Sequence, residues 1–155
     1  MNQHERLIHK FYSAFQQGDF RTMQSCYHDE ATFSDPVFQS LNSKEVKAMW
    51  EMLLTSAKDL KVSFDAITAD ERSGSASWQA WYTFSRTGRQ VHNVITARFQ
   101  FSDGKIIDHR DSFDLWRWSR QALGFSGLLL GWSPIVSNKV RETARKSLDK
   151  FMSSR

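Results

Sequence analysis

The chain has 155 residues, 40% hydrophobic and 14% aromatic, with 12 Phe and 6 Trp, a balance that excludes a disordered chain and suits one domain with a substantial core. Net charge is +4, but residues 116–155 hold eight of the 21 Lys and Arg and two of the 17 Asp and Glu, so the basic character belongs to the tail. No nucleic-acid reading motif accompanies it, and nucleic acid is not an expected partner.

A lone Cys26 excludes an internal disulfide and fits a reducing compartment. The stretch Met1 to Glu5 lacks the basic-then-apolar pattern of a leader, and no run approaches the ~18 apolar residues of a membrane span. These features predict a soluble, cytoplasmic protein, with membrane association not expected.

Along the chain, Glu5 to Phe15 places Leu7, Ile8, Phe11, Ala14 and Phe15 on one side of a helix. The helix stops at Gln17-Gly18-Asp19, where Gly18 supplies a left-handed cap. A short second helix is expected from about Asp19 to Tyr27. Ala31 to Phe38 then reads as a strand with Phe33, Asp35 and Val37 on one face, closed by Pro36. A carboxylate among buried apolar groups must be paired, protonated or held as a base of raised pKa. That is the chemistry of a general base, although Asp-Pro is also a common turn opener.

Ser43 is the expected cap of a third helix, about Lys44 to Ala57, with Val46, Met49, Trp50, Leu53 and Leu54 inward. Four strands follow: Leu60 to Thr68, Ser75 to Ser85, Gln90 to Phe101 and Ile106 to Trp118. Turns at Arg86-Thr87-Gly88-Arg89 and Ser102-Asp103-Gly104-Lys105 separate the last three. On the last strand one face reads Ile107, His109, Asp111, Phe113, Leu115. It begins and ends apolar, so His109 and Asp111 are expected to project inward, close enough to share a ligand. Asn93 shares a face with Ile95 and Ala97, with His92 outward. Tyr82 is the hydroxyl on the face formed with Trp78, Ala80 and Phe84.

The order helix, Gly18-Asp19, short helix, Asp29-Glu30-Ala31-Thr32, Asp35-Pro36 resembles the ketosteroid isomerase, SnoaL-like and nuclear-transport-factor-2-like superfamily, over roughly residues 5 to 116. The resemblance implies an α+β fold: a cone-shaped, curved antiparallel sheet packed with three N-terminal helices, here with a helical C-terminal extension. It implies that Asp35 matches the isomerases' proton-shuttling base. Arg110-Asp111-Ser112-Phe113-Asp114 is similar to the last strand of limonene epoxide hydrolases, whose first Asp is catalytic; Asp111 matches it. SnoaL-like polyketide cyclases also use an acid/base carboxylate in this cavity.

Departures are visible too. The isomerases' carbonyl-polarising tyrosine falls on Phe11, with Tyr12 one residue off-face, and their protonated Asp falls on Ala97. The hydrolases' Arg-x-Asp pair has no counterpart in residues 78–83.

Beyond Trp116, an apolar stretch from Ala122 to Trp132 is expected to be buried. Asn138 is the expected cap of a basic amphipathic helix with Val140, Ala144, Leu148 and Phe151 inward. The domain reading is a cone domain over 1–118 with an extension over 119–155 packed on it. This extension covers the cone mouth or crosses a dimer, with a lipid contact as the alternative. The functional expectation is a cofactor-free acid/base enzyme, an isomerase, cyclase or related lyase, acting on an apolar carbonyl-containing or polycyclic molecule. Asp35, His109 and Asp111 are its catalytic candidates; Phe11, Phe33, Trp50, Tyr82, Asn93 and Phe113 are its ligand-lining candidates. The other reading is a non-catalytic ligand-binding or protein-interaction module. A homodimer through the outer sheet face is expected; no spacing of His, Cys or acidic residues suggests a metal.

Overall fold

Two capping boxes start the long helices of the N-terminal half of the chain. In the first, Asn2 Oδ1 accepts from Glu5 N and Glu5 Oε1 accepts from Asn2 N, opening α1 (Gln3–Gln16). Asn42 and Glu45 repeat the arrangement at α3 (Ser43–Ser56). The cap is thus Asn42 rather than the expected Ser43, because Asn42 is the residue with a Glu three places on. The Ser43 hydroxyl instead donates to the His28 carbonyl at 2.9 Å. Leu53, expected inside, is 38% exposed. Gly18 adopts the left-handed cap, φ +71°. The structure is a computed structural model that describes residues 1–125 and 133–154.

The second helix, α2 (Phe20–Ser25), is shorter than expected. Tyr27 does not end it but begins β1 (Tyr27–Ser34), which stops one residue before Asp35. The other strands are β2 (Leu41–Asn42), β3 (Lys61–Ala69), β4 (Ser73–Phe84), β5 (Arg89–Ser102) and β6 (Lys105–Ser112). They form one curved sheet in the order β2-β1-β6-β5-β4-β3, with β1 joining β6 in parallel and every other pair antiparallel. The fold is the expected α+β arrangement, with the two-residue edge strand β2 as an addition. At the β5–β6 hairpin, Asp103 and Gly104 have φ +54° and +73°. Two positive φ values in succession mark the type I′ turn that Asp-Gly favours.

Burial alternates along β5: Val91, Ile95, Ala97, Phe99 and Phe101 are buried, and Gln90, Val94, Thr96, Arg98 and Gln100 are exposed. The inner set packs with the apolar sides of α1 and α3 in one core. A register shift between Gln100 and Phe101 changes the start of β6, so Ile106 is the fully buried residue and Ile107 is only half-buried, contrary to simple alternation.

The last strand ends at Ser112, not Trp118. Asp114 accepts from Arg117 N at 3.0 Å and caps α4 (Leu115–Leu123), so the 118/119 boundary falls inside a helix. The final helix, α5 (Pro134–Ser153), starts at a Ser133 cap, ahead of the expected Asn138. A second small core holds Val91, Trp118 and Ala122, joined by Tyr82, Phe84, Phe113, Leu115, Leu123 and Val140. Leu148 of α5 is fully buried in the main core. The expected burial of Ala122 to Trp132 holds for Ala122 but not for Phe125, which is 74% exposed. Residues 126–132 lie outside the described residues. Among the described residues no helix is long and apolar enough to cross a membrane.

Candidate active site

Parallel pairing of β1 with β6 sets the site. Phe33 pairs with His109 and Ser34 with Arg110, and Asp35 follows directly, near enough to Asp111 for that charge to act on its carboxyl. Asp35 itself sits in a turn rather than on the strand. Its Oδ1 accepts from Val37 N at 2.7 Å and Phe38 N at 2.6 Å, while its own N donates to Phe38 O at 2.8 Å. Pro36, with no N–H, occupies the position that needs none. The residue keeps some surface, but its carboxyl lies deep. Burial, reinforced by the negative charge of Asp111, pushes its pKa from 3.8 up to about 7 against the pull of the two backbone N–H groups.

Asp111 and His109 are buried on the concave face. They belong to a chain of hydrogen bonds that reaches α3. Trp50 Nε1–H donates to Tyr27 Oη at 2.9 Å; Tyr27 Oη meets His109 Nδ1 at 2.7 Å; His109 Nε2 meets Asp111 Oδ1 at 2.9 Å. One assignment gives every donor an acceptor. The Tyr27 hydroxyl donates to Nδ1, and a neutral His109 donates Nε2–H to an ionised Asp111. Burial holds the Tyr27 phenol well above its ordinary value, so it stays a hydroxyl.

The aromatic candidates divide into two groups. Phe11, Phe33 and Trp50 surround His109, with ring centroids 5.7, 4.9 and 6.4 Å from the imidazole, and wall off its face. Asn93, Tyr82 and Phe113 lie toward the other end. On β5, Asn93 is six residues from Phe99, the partner of His109, or roughly 20 Å along the strand. Asn93 pairs with Ala80, and Tyr82 joins the main core to the second one. Trp118 Nε1–H of α4 donates to Tyr82 Oη at 2.7 Å. Burial raises the Tyr82 pKa, and the charge of Asp35 adds to the shift. Asp35 and Asp111 therefore stand between the aromatic cluster around His109 and the second small core to which α4 contributes.

Two side chains escape the sequence reading. Tyr27 is hidden by its expected placement at the end of a helix; the buried odd-numbered positions Tyr27, Ala31 and Phe33 of one strand were the available signal. Tyr12, one residue off the expected face, is nonetheless fully buried, and its hydroxyl has no hydrogen-bond partner among the described residues. Its ring stacks on Phe64 at 5.4 Å.

An open groove of about 1040 Å³ lies apart from this chemistry, on the outer sheet face between Thr68, Ser75, Arg98 and Arg110. Among the described residues no cluster of His, Cys, Asp and Glu could hold a metal ion.

The SnoaL-like domain family matches residues 8–109. No curated protein matches the sequence. Among solved structures, a limonene-epoxide-hydrolase-like epoxide hydrolase of Mycobacterium tuberculosis superposes with a TM-score of 0.63 at 20% identity, covering 88% of this chain and 96% of that one. A putative polyketide cyclase of Xanthomonas campestris gives 0.65 at 16% identity, covering 77% and 96%. IdmH of Streptomyces antibioticus, another putative polyketide cyclase, gives 0.63 at 18% identity, covering 75% and 95%. At these identities the likeness concerns the fold.

Proposed function

Starting from a chain that belongs to the SnoaL-like family of the nuclear-transport-factor-2-like superfamily, we propose that it is a cofactor-independent acid/base enzyme. Its substrate is an apolar, carbonyl-containing or polycyclic small molecule. The observation that carries this reading is the parallel register that sets Asp35 beside Asp111, with Asp35 lifted to about 7. A base titrating near neutrality takes a proton from carbon and returns it with little loss in either direction. Asp35 is that base. Asp111, hydrogen-bonded to His109 and through it linked to Tyr27 and Trp50, adds its charge to the environment that keeps Asp35 basic and faces the proton being moved. Isomerisation and ring closure both need this shuttle beside an enolisable carbonyl.

The test uses 1-tetralone, a flat ketone with exchangeable protons beside its carbonyl. In D2O the wild type should exchange those protons faster than buffer, as followed by proton NMR. Asp35→Asn, which keeps the oxygen that accepts the two backbone N–H groups, should slow the exchange about 100-fold or more. Wild-type exchange at the buffer rate, with 1-tetralone bound, would favour a non-catalytic binding module. The exchange rate should rise with pH through about 7, as Asp35 ionises. Asp111→Asn, by removing a neighbouring charge, should move that rise to lower pH. An unmoved profile would separate Asp111 from the base.

A further inference from the structure

The open groove of about 1040 Å³ on the outer sheet face has no part in the acid/base chemistry. Four of its lining residues form one row across adjacent strands. Thr68 on β3 pairs with Ser75 on β4, Ser75 with Arg98 on β5, and Arg98 with Arg110 on β6. Ala97, Phe99, His109 and Asp111, the neighbours of the two arginines along their strands, are all buried. Alternation therefore sends both guanidinium groups to the outer face. Directly opposed residues have Cβ atoms about 4.5–5.5 Å apart, where like charges repel.

The protein itself answers only part of that charge. Arg110 Nε donates to Asp108 Oδ2 at 3.0 Å, and Asp108 Oδ1 accepts from the Thr32 hydroxyl at 2.6 Å, which fixes the direction of Arg110. Among the described residues, the Arg110 terminal nitrogens and the whole Arg98 guanidinium have no hydrogen-bond or ion-pair partner. The other acidic lining residues do not supply one. Asp70 accepts from Arg72 N and Ser73 N within its own turn. Glu30 lies four residues before Ser34, the partner of Arg110, or roughly 13 Å along β1 and beyond the ~8 Å screening length.

The row continues in hydroxyls. Thr68 Oγ1 and Ser75 Oγ are 3.1 Å apart, so one donates to the other and a second proton is left to give. A carboxylate presents two oxygens in one plane and matches a single guanidinium fork. A tetrahedral phosphate presents three and can face two forks at once.

We propose that Arg98 and Arg110, with the Thr68–Ser75 hydroxyl pair, form a site for the phosphate group of a soluble phosphate monoester. The site lies on the opposite face of the sheet from Asp111 and does not rest on the acid/base reading. Its occupant offsets the like charges that the strand register places together.

The experiment titrates the 15N-labelled full chain with inorganic phosphate, at an ionic strength held constant with sodium chloride, and follows the arginine Nε–H signals by NMR. The Arg98 and Arg110 signals should move together and saturate in the millimolar range. Acetate should bind about tenfold more weakly. Arg98→Gln should weaken phosphate binding about tenfold or more, and Arg98→Lys, which keeps the charge without the fork, should recover only part of it. Without phosphate, Arg98→Gln should melt at the same temperature or higher, because it relieves a like-charge pair. Asp35→Asn should bind phosphate as the wild type does.

Shifts that grow without saturating, or that spread equally over the other arginines, would mean ionic screening alone and overturn the site. A lower melting temperature for Arg98→Gln would also overturn it, by giving Arg98 a structural partner. Arginine signals that move with protein concentration and ignore phosphate would give the groove to a second copy of the chain. Retention by phosphatidic acid vesicles without any response to inorganic phosphate would replace the soluble ligand with a lipid surface.

Discussion

A carboxyl whose pKa is lifted from 3.8 to about 7 by burial binds its proton more tightly in the folded chain than in the unfolded one. Its contribution to stability is complete below the ordinary carboxylate value and is lost as pH rises through about 7. Asp35→Asn abolishes that titration and keeps the acceptor oxygen for Val37 and Phe38 N–H. The variant should be more stable than the wild type at pH 8, by an amount of the order of a few kcal/mol, with the gain shrinking toward pH 4. Denaturant melts at the two pH values check it; a gain independent of pH would mean that Asp35 titrates like a surface carboxylate. The apolar company of residue 35 made its carboxylate legible in the sequence, and alternation put His109 and Asp111 inward together. The turn that holds Asp35 was present only as the competing Asp-Pro reading. Tyr27 stayed hidden because the sequence reading left it at the end of a helix, and Tyr12 because it lies one residue off the face read for α1.

Element boundaries follow the same logic. A cap is chosen by the partner three residues on, which is why Asn42 with Glu45 prevails over Ser43, and why Asp114 turns a predicted strand into α4. The inward face of α5 was correctly read from its spacing, and Leu148 is its fully buried member, packed with the main core. Leu148→Ala should cost about 2–5 kcal/mol by equilibrium unfolding, because the site is enclosed and a cavity would remain. Arg141, two turns before Leu148, donates from Nε to the Pro36 carbonyl at 2.8 Å and ties α5 to the turn carrying Asp35. Arg141→Met should cost only about 1 kcal/mol in stability. Its larger effect should be slower 1-tetralone exchange with binding little changed, as the turn loosens. Equal losses of binding and exchange would assign Arg141 to general packing instead.

Taken together, the chain is a curved sheet closed on its concave side by helices from both ends of the sequence, and the tail is part of that closure. The basic face that suggested a lipid contact is already engaged in part: Arg145 pairs with Glu45 of α3 and with Asp149, and Lys146 pairs with Glu142. Such exposed pairs add little stability, but they lower the charge available to an anionic surface. The apolar side of the tail supplies the second core, through Trp118, Ala122 and Val140. A chain ending at Asp114 loses that core together with Leu148, and at ~25 cal/mol per Å² of apolar area the loss amounts to several kcal/mol. Circular dichroism melts should show a lower transition or none. A truncated chain that still folds should bind 1-tetralone with faster association and release, its mouth uncovered. The lipid alternative forecasts the reverse pattern: a truncated chain as stable as the parent, and a parent retained by phosphatidylserine vesicles at low salt and released as salt rises, because that attraction is screened. Leu148 and Trp118, buried against the rest of the domain, are the tail residues that favour the packing outcome.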